Sequence, residues 1–523
     1  MPVQGLPLRP DTLYAAVVTD QLRSEQGEPL VRAPAMQALI DGEAPAGMEP
    51  DALAAFRAAL AGLGDTIPIE RVVAMTAFRT GAPLAVLERA VAGLDGRFEA
   101  RVSAAGFIAH EVFDDYCVFE SVVEMPVFQE GEPPYLMEGG AWVLDGDGVP
   151  VLQRTEQARL LVTVPRTTMP AAGFPTTVLV RTGAGGDRPL VDRGLRDAEG
   201  VTIAPGTGPA MELARAGLAG VSVDGPHGGL RNPDGGDEQF RVFNIQNPTA
   251  LRDNLRQSAI ELVLLARALD TLTLDASSCP GFAASDGTMR FDTARMALMG
   301  HSMGASIAPL AAAFEPRFGA LVLSGAGGSW ITNVMYKELP IATRPAAELL
   351  LRYTSQRRTL TIDDPVLGLL QWAGESADAA LYARLLVEEP VVGGPRDVLM
   401  FQGIVDHYIL PPIANPLSLG LGVDRAGPGL DESIAEHTPI SELLPLRGRR
   451  EIELSDASGN RDIDGAPVTA VLVQHVEDGV EDGHEVMFQV EAAKTQYRCF
   501  LRTFARGETP VVPDPAAPDP ACE

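Results

Sequence analysis

Arg295-Met296-Ala297-Leu298-Met299-Gly300-His301-Ser302-Met303-Gly304-Ala305-Ser306-Ile307-Ala308 is the stretch on which the fold turns. Residues 295–299 form a short apolar run of strand length, and residues 305–308 begin a helix of small side chains. Between them lies Gly-x-Ser-x-Gly. In a chain with 53 glycines that pentapeptide alone is weak evidence. The flanks give it weight, because a serine on a sharp strand-to-helix turn needs small neighbours that let strand and helix approach closely. Ser302 is the candidate nucleophile. The Met303 N–H, at the start of the helix, is placed to meet an oxyanion, since the first amides of a helix lack intrahelical partners and the helix dipole favours negative charge there.

Working outward, strands and helices alternate. Residues 176–180 read as a strand, 209–218 as a helix, 220–224 as a strand, 250–272 as a long helix, 303–313 as a helix and 320–324 as a strand. That rhythm predicts an α/β fold with a mostly parallel sheet and helices on both faces. Residues 326–395 interrupt it with helical sequence, a candidate cap, after which 397–402 and 468–474 read as the last sheet strands. Before the core, 113–164 shows strands with Gly and Pro punctuation, and 1–110 mixes short strands (12–19, 71–78) with helices (51–63, 83–94) as an accessory α+β region. The expected division is therefore 1–110, 111–325, 326–395, 396–510 and a Pro-rich tail, 511–523.

A serine hydroxyl needs a base within hydrogen-bond reach, and the base needs a carboxylate to hold its tautomer. On a sheet of this kind the acid and then the histidine follow the serine in chain order. His484, in Glu481-Asp482-Gly483-His484, lies in the turn after the last strand and before a helix over 485–504, at the carboxyl end of the sheet where such sites form. His475, at the end of the same strand, is the second choice. His301, inside the turn itself, is expected to pack beside the serine. Asp406 follows the strand Val398-Leu399-Met400-Phe401 through a short Gly-containing loop and is the candidate acid, with Asp424 the alternative. A second oxyanion donor is expected after 176–180, from Gly183 or Ala184.

Composition narrows the partners. Of 523 residues 46% are hydrophobic and 21% charged, with a mean hydropathy of +0.07, as in folded water-soluble proteins. A formal charge of −29 repels phosphate backbones and anionic headgroups, so nucleic acid is not an expected partner, and no apolar stretch is long enough for stable membrane insertion. Cys117, Cys279, Cys499 and Cys522 allow three pairings and have no zinc spacing, and they lean towards an oxidising compartment. Asp145-Gly146-Asp147-Gly148 and residues 456–464 lack the ligand register of a calcium loop, so no metal is expected.

These residues resemble the α/β-hydrolase superfamily, in particular extracellular bacterial lipases and esterases of the virulence-factor lipase type. The resemblance spans about residues 113–507. It rests on Asp224-Gly225-Pro226-His227-Gly228 with Arg231, on Arg252-Asp253-Asn254-Leu255-Arg256-Gln257-Ser258, on residues 300–304 and 402–406, and on Asp482-Gly483-His484. Leu8-Arg9-Pro10-Asp11-Thr12-Leu13-Tyr14 and Met75-Thr76-Ala77-Phe78-Arg79-Thr80-Gly81 resemble the Ig-like region preceding such catalytic domains. Many relatives carry His-Gly where this chain has Thr182-Gly183. The resemblance implies an α/β-hydrolase fold and a serine carboxylesterase or lipase with no cofactor, acting on a small-molecule or lipid-like ester. It also implies His227 at the pocket rim, and a secreted, periplasmic or cell-surface location, with the cytoplasm as the alternative. Trp330 and Trp372 in the cap either roof a pocket for hydrophobic esters of small to medium size, with His301 beneath, or belong to a face that packs on the sheet. A peptidase or amidase on the same triad and a catalytically silent binding module are the rival functions. Nothing in the pattern sets the oligomeric state.

Overall fold

The structure is a computed structural model that describes residues 3–64, 66–183, 188–353, 358–434, 437–517 and 519–522. The chain divides into two compact units, residues 7–85 on one side and residues 1–6 with 86–523 on the other.

In the smaller unit, Leu13–Thr19 and Val72–Arg79 pair antiparallel with Leu13 opposite Arg79. The helices Pro34–Ile40 and Pro50–Leu63 each begin with proline, whose fixed φ suits a first helical turn. Met36, Leu39, Leu60 and Val72 form the core of this unit. An Ig-like sandwich needs two packed sheets, and here one two-stranded ribbon is covered by helices. The α+β expectation therefore stands and the Ig-like one does not.

The larger unit is built on one sheet. Its parallel part runs, in spatial order, through Glu451–Ile452, Asp424–Ala426, Ala470–Val476, Asp397–Ile404, Phe318–Ser324, Thr288–His301, Phe174–Leu179 and Ala219–Val223. Arg154–Pro165 then joins antiparallel, followed by Tyr116–Val127 and the short strands Arg101–Val102 and Ile108–Val112. Residues 86–110, grouped with the accessory region by sequence pattern, thus belong to the larger unit. Central strands buried on both faces read as continuous apolar runs. Ala297, Met299, Val322, Leu399, Phe401, Val471 and Val473 pack on one side in a cluster with Tyr497, Phe500 and Leu501 of the terminal helix Glu491–Arg506. Leu298, Leu321, Val398 and Leu472, which point the other way, are equally buried.

Thr288–His301 is much longer than the strand expected over 295–299. Its first part, broken in register from the rest between Asp292 and Met296, pairs with Thr273–Asp275 and with Phe174–Pro175. The polar run Asp292-Thr293-Ala294-Arg295 hides that continuity from periodicity.

Residues 326–395 hold the helices Trp330–Tyr336, Thr343–Leu350, Pro365–Gly374, Ala379–Tyr382 and Arg384–Val387. Ile331, Leu360 and Leu367 bury against Val334, Met335, Ala347 and Val366, so this segment has a small core of its own. Among the described residues no helix is long and apolar enough to cross a membrane.

The cysteines pair as Cys117–Cys279 and Cys499–Cys522, at sequence separations of 162 and 23. The first pins the strand Tyr116–Val127 to the segment leading into Thr288–His301, and the second ties the tail to the terminal helix. Closing the longer loop removes more entropy from the unfolded chain. Replacing Cys117 and Cys279 together by serine is expected to lower the unfolding free energy by about 2–4 kcal/mol in urea titrations, and replacing Cys499 and Cys522 by less. A larger loss from the second pair would contradict that ranking.

Candidate active site

Ser302 sits between the strand Thr288–His301 and the helix Met303–Ala312 with φ 53° and ψ −118°, a backbone conformation costly for any residue other than glycine. Its N–H donates to the Ser324 carbonyl at 3.0 Å, which fixes the turn to the neighbouring strand. The flanking glycines are forced by contact. A Cβ on Gly300 would lie 2.7 Å from the Gly304 carbonyl oxygen, and one on Gly304 would lie 2.7 Å from the Val180 carbonyl oxygen. The second contact sets the 180–183 loop directly against the helix that starts at Met303.

Asp406 follows the strand Asp397–Ile404. Its Oδ1 accepts the N–H groups of Tyr408 at 2.8 Å and Ile409 at 2.7 Å, and its Oδ2 lies 2.8 Å from His484 Nδ1. His484 occupies a single turn, Gly483–Glu485, capped by Asp482, whose Oδ1 accepts the His484 N–H at 2.9 Å. Asp406 and His484 are 1% and 3% exposed, so this is a desolvated dyad. The imidazole lies against the serine turn: its centroid is 4.5 Å from that of His301, and a Cβ on Gly325 would come within 2.7 Å of His484 Nδ1. Gly325 follows Ser324, the residue that accepts the Ser302 N–H.

Glycines also let the acid and base loops meet. A Cβ on Gly403 would fall 1.8 Å from the Gly483 carbonyl oxygen, and one on Gly483 would fall 2.4 Å from the Val405 carbonyl oxygen. The Gly483 N–H donates to that same Val405 oxygen at 3.0 Å. The loop bearing Asp406 and the turn bearing His484 therefore touch backbone to backbone.

Burial pushes the Asp406 carboxyl up, but the His484 charge and hydrogen bond, with the two loop N–H groups, outweigh it and hold Asp406 below the usual carboxylate range. Burial, reinforced by the nearby Arg193, drives His301 well below an ordinary imidazole value, so this ring is neutral. Its two nitrogens are buried without hydrogen-bond partners, and Nε2 lies 3.9 Å from the Glu485 carboxylate. Burial alone would raise Glu485; Arg193, which binds both its oxygens, holds it low instead.

The alternatives are engaged elsewhere. His475 Nε2 pairs with Gln496 Oε1 at 2.8 Å, and Asp424 accepts from the Arg450 N–H and from Asn460. Gly183 packs against the helix Glu238–Val242, where a Cβ would lie 2.8 Å from Gln239 Cβ; Ala184 lies outside the described residues. His227 is buried, with Nε2 3.2 Å from Asn254 Oδ1 and its ring edge-on to Tyr135. Asn254 and Gln257 also bind Gln129, Phe128 and Pro126, so the segment 252–258 is a buried polar brace between the long helix and the strand Tyr116–Val127. Trp330 is half-buried beside Phe243 and Gly374, whereas Trp372 is 76% exposed. Among the described residues no group of three His, Cys, Asp or Glu side chains is placed to hold a metal ion.

Sequence reasoning passed over Tyr408, Lys337 and Arg193, and considered His407 only among the four histidines that follow the serine, His407, His437, His475 and His484. His407 Nδ1 is 2.6 Å from Asp482 Oδ2, and that hydrogen bond raises the imidazole above its ordinary value. Tyr408 stacks on His484 with centroids 4.6 Å apart and planes at 20°. The adjacency of His407 and Tyr408 to Asp406 was the available signal, and it carries no periodicity.

Two outcomes follow from this geometry. Gly403→Ala is expected to lower kcat for an activated ester by about 100-fold, because displacement of catalytic groups by about 1 Å costs that much. Gly62→Ala, where an added Cβ meets nothing within 4 Å, serves as the control with unchanged kcat. Equal activity in the two variants would refute the loop contact. The second outcome concerns pH. Burial lowers His227 to about 4 from an ordinary 6.5, opposed by its hydrogen bond to Asn254. The stability of the neutral folded form is fully present above 6.5 and is lost as pH falls towards 4, amounting to ~3 kcal/mol for this residue. Denaturation midpoints should fall across that window, and the slope should flatten in His227→Gln; an equal slope in the variant would rule His227 out as the cause.

Neither a protein-family model nor a curated protein sequence matches the chain. Solved structures to which the chain is similar include acetyl xylan esterase 1 from Thermoanaerobacterium sp., with 11% identity, coverage of 75% of this chain and 86% of that one, and a TM-score of 0.38. A glucuronoyl esterase from Teredinibacter turnerae has 14% identity, 79% coverage of both chains and a TM-score of 0.34. The acylaminoacyl peptidase of Pyrococcus horikoshii has 10% identity, coverage of 80% of this chain and 43% of that one, and a TM-score of 0.33. The sheet order, the positive-φ serine between strand and small-residue helix, and the carboxylate and histidine after the next strands give this chain the α/β-hydrolase fold.

Proposed function

We propose that this protein is a serine carboxylic-ester hydrolase, working through an acyl-enzyme on hydrophobic esters of small to medium size. The observation that carries the reading is the buried Asp406–His484 pair, 2.8 Å from Oδ2 to Nδ1, whose imidazole lies against the strained turn at Ser302. With Nδ1–H donated to Asp406, Nε2 is the free lone pair, which is the tautomer a general base needs.

In this reading Ser302 Oγ attacks the ester carbonyl carbon while His484 Nε2 takes the hydroxyl proton. Asp406 stays ionised and stabilises the imidazolium. The carbonyl oxygen becomes an oxyanion at the Met303 N–H, with Gly183 or Ala184 as the second donor. Collapse breaks the bond to the leaving alkoxide, which receives the proton from His484 and departs as the alcohol. Water, deprotonated by the same imidazole, then attacks the acyl carbon, and breaking the Ser302 ester bond returns the proton to Oγ and frees the acid. The chemistry uses protein groups alone. Preference for hydrophobic esters draws support from Trp330, which lies beside Phe243 in the cap, on the segment that leaves the sheet at Gly325 beneath His484. The two disulfides favour a secreted, periplasmic or cell-surface location.

Ser302→Ala is expected to cut p-nitrophenyl acetate turnover by at least 1,000-fold, on the order seen when the nucleophile of a triad is removed, with little change in thermal midpoint. The parent should cleave that ester far faster than the matching anilide. Retained turnover in Ser302→Ala refutes the triad, whereas a faster anilide reaction would make the enzyme an amidase.

A further inference from the structure

The ring of His484 is held on every side. Asp406 binds Nδ1, Gly325 and the tilted ring of His301 lie along it, and Tyr408 stacks on it at 4.6 Å and 20°. Tyr408 is itself fixed at both ends of its backbone. Its N–H donates to Asp406 Oδ1 at 2.8 Å, and its carbonyl accepts the Lys337 ammonium at 3.0 Å. Lys337 ends the first cap helix, Trp330–Tyr336, and its Nζ lies 5.7 Å from the Tyr408 ring centroid. The next two cap residues, Glu338 and Leu339, donate their N–H groups to the His407 carbonyl at 3.2 and 3.0 Å. The backbone carbonyls of His407 and Tyr408 are thus strapped from the cap by three donors.

This strap is chemically unusual for the chain. Lys337 is one of only two lysines in it, the other being Lys494. Burial lowers the Lys337 amine to about 8, opposed by the Asp406 charge, so holding the ammonium here carries a desolvation cost that a packing residue would not incur. A tyrosine face stacked on an imidazole keeps the ring plane from swinging and favours the imidazolium, because the π-cloud is negative.

We propose that Tyr408 is a positioning residue for the His484 base, stacked on its ring and held there from the cap by Lys337 on the Tyr408 carbonyl. The inference rests on the triad reading above and adds to it a direct link between the cap and the base. Its electrostatic content depends on what else faces His484. From the same turn come Asp482, paired with His407, and Glu485, paired with Arg193. From other elements Asp406 and neutral His301 touch the ring, while Arg196 acts on His301 and Glu485 and the Lys337 ammonium lies against Tyr408. With Asp482 and Glu485 already paired, the Asp406 carboxylate and the Tyr408 face are the groups in direct contact with the His484 ring.

The test is steady-state hydrolysis of p-nitrophenyl acetate by the full chain over a range of pH. Tyr408→Leu is expected to lower kcat about 10- to 100-fold with KM within about twofold, and to move the acid limb of kcat/KM to lower pH by about half to one unit. Tyr408→Phe, which keeps the stack, should recover most of kcat and the parental acid limb. Lys337→Met should lower kcat several-fold, and the double variant Lys337→Met with Tyr408→Leu should be no slower than Tyr408→Leu alone, since the lysine acts through the tyrosine. If Tyr408→Leu does not fold, as judged by its thermal transition, Tyr408→Met takes its place with the same expectations. An unmoved acid limb in the Leu or Met variant, a Phe variant as slow as Leu, or additive losses in the double variant would overturn the proposal. Turnover surviving in Ser302→Ala would instead bring down the triad, so the two failures are separate.

Discussion

The hydrogen bond between Asp406 and His484 is the constraint around which the catalytic end of the sheet is arranged. A carboxylate at 1% exposure is expensive unless its charge is answered, and here an imidazole N–H and two backbone N–H groups answer it. Bringing these groups together requires that the loop after Asp397–Ile404 and the turn after Ala470–Val476 touch along their backbones. Only glycine at both 403 and 483 permits that approach. The serine turn is brought in by its neighbour strand: Ser302 hangs from the Ser324 carbonyl, and the next residue, Gly325, forms the floor under the imidazole. Register in the parallel sheet thus sets the Ser302 turn beside the His484 imidazole.

Most of that arrangement is legible in the residues. The central strands announce themselves because burial on both faces demands uninterrupted apolar runs, as in Ala320-Leu321-Val322-Leu323. Ser302 is legible from its flanking glycines, and Asp406 and His484 from chain order and loop position. What periodicity hides is contact between distant residues. The Tyr408–His484 stack joins positions 76 residues apart, and the cap strap joins Lys337 to a loop it meets only in three dimensions. The same limit explains the overreadings. Trp372 looks like a pocket residue because aromatic side chains in a cap commonly bury, yet its helix turns that ring outward while Leu367 takes the inner face. The resemblance puts His227 at a pocket rim, and the structure buries it against Asn254, within a polar brace between the long helix and the strand Tyr116–Val127.

Charge is divided between surface and interior. With 41 Lys and Arg against 70 Asp and Glu, the chain has few cations, and many of them are spent inside. Arg231 reaches both Glu261 and Glu156, Arg193 grips Glu485 beside His484, and Arg181 bridges Glu238 and Asp224 at the 180–183 loop. Arginine suits this use, because its planar fork satisfies a carboxylate with two parallel bonds and it keeps its charge when desolvated. The surface that remains is strongly acidic, while the charges around Asp406 and His484 are compensated internally.

The central claim is that one serine, Ser302, is activated by the buried dyad. The most direct measurement is labelling of the native protein with a fluorophosphonate, followed by peptide mapping. The account predicts one label per chain, on the peptide containing Ser302, and loss of labelling when His484 is replaced by alanine. Label on another serine, or undiminished labelling without His484, would contradict it.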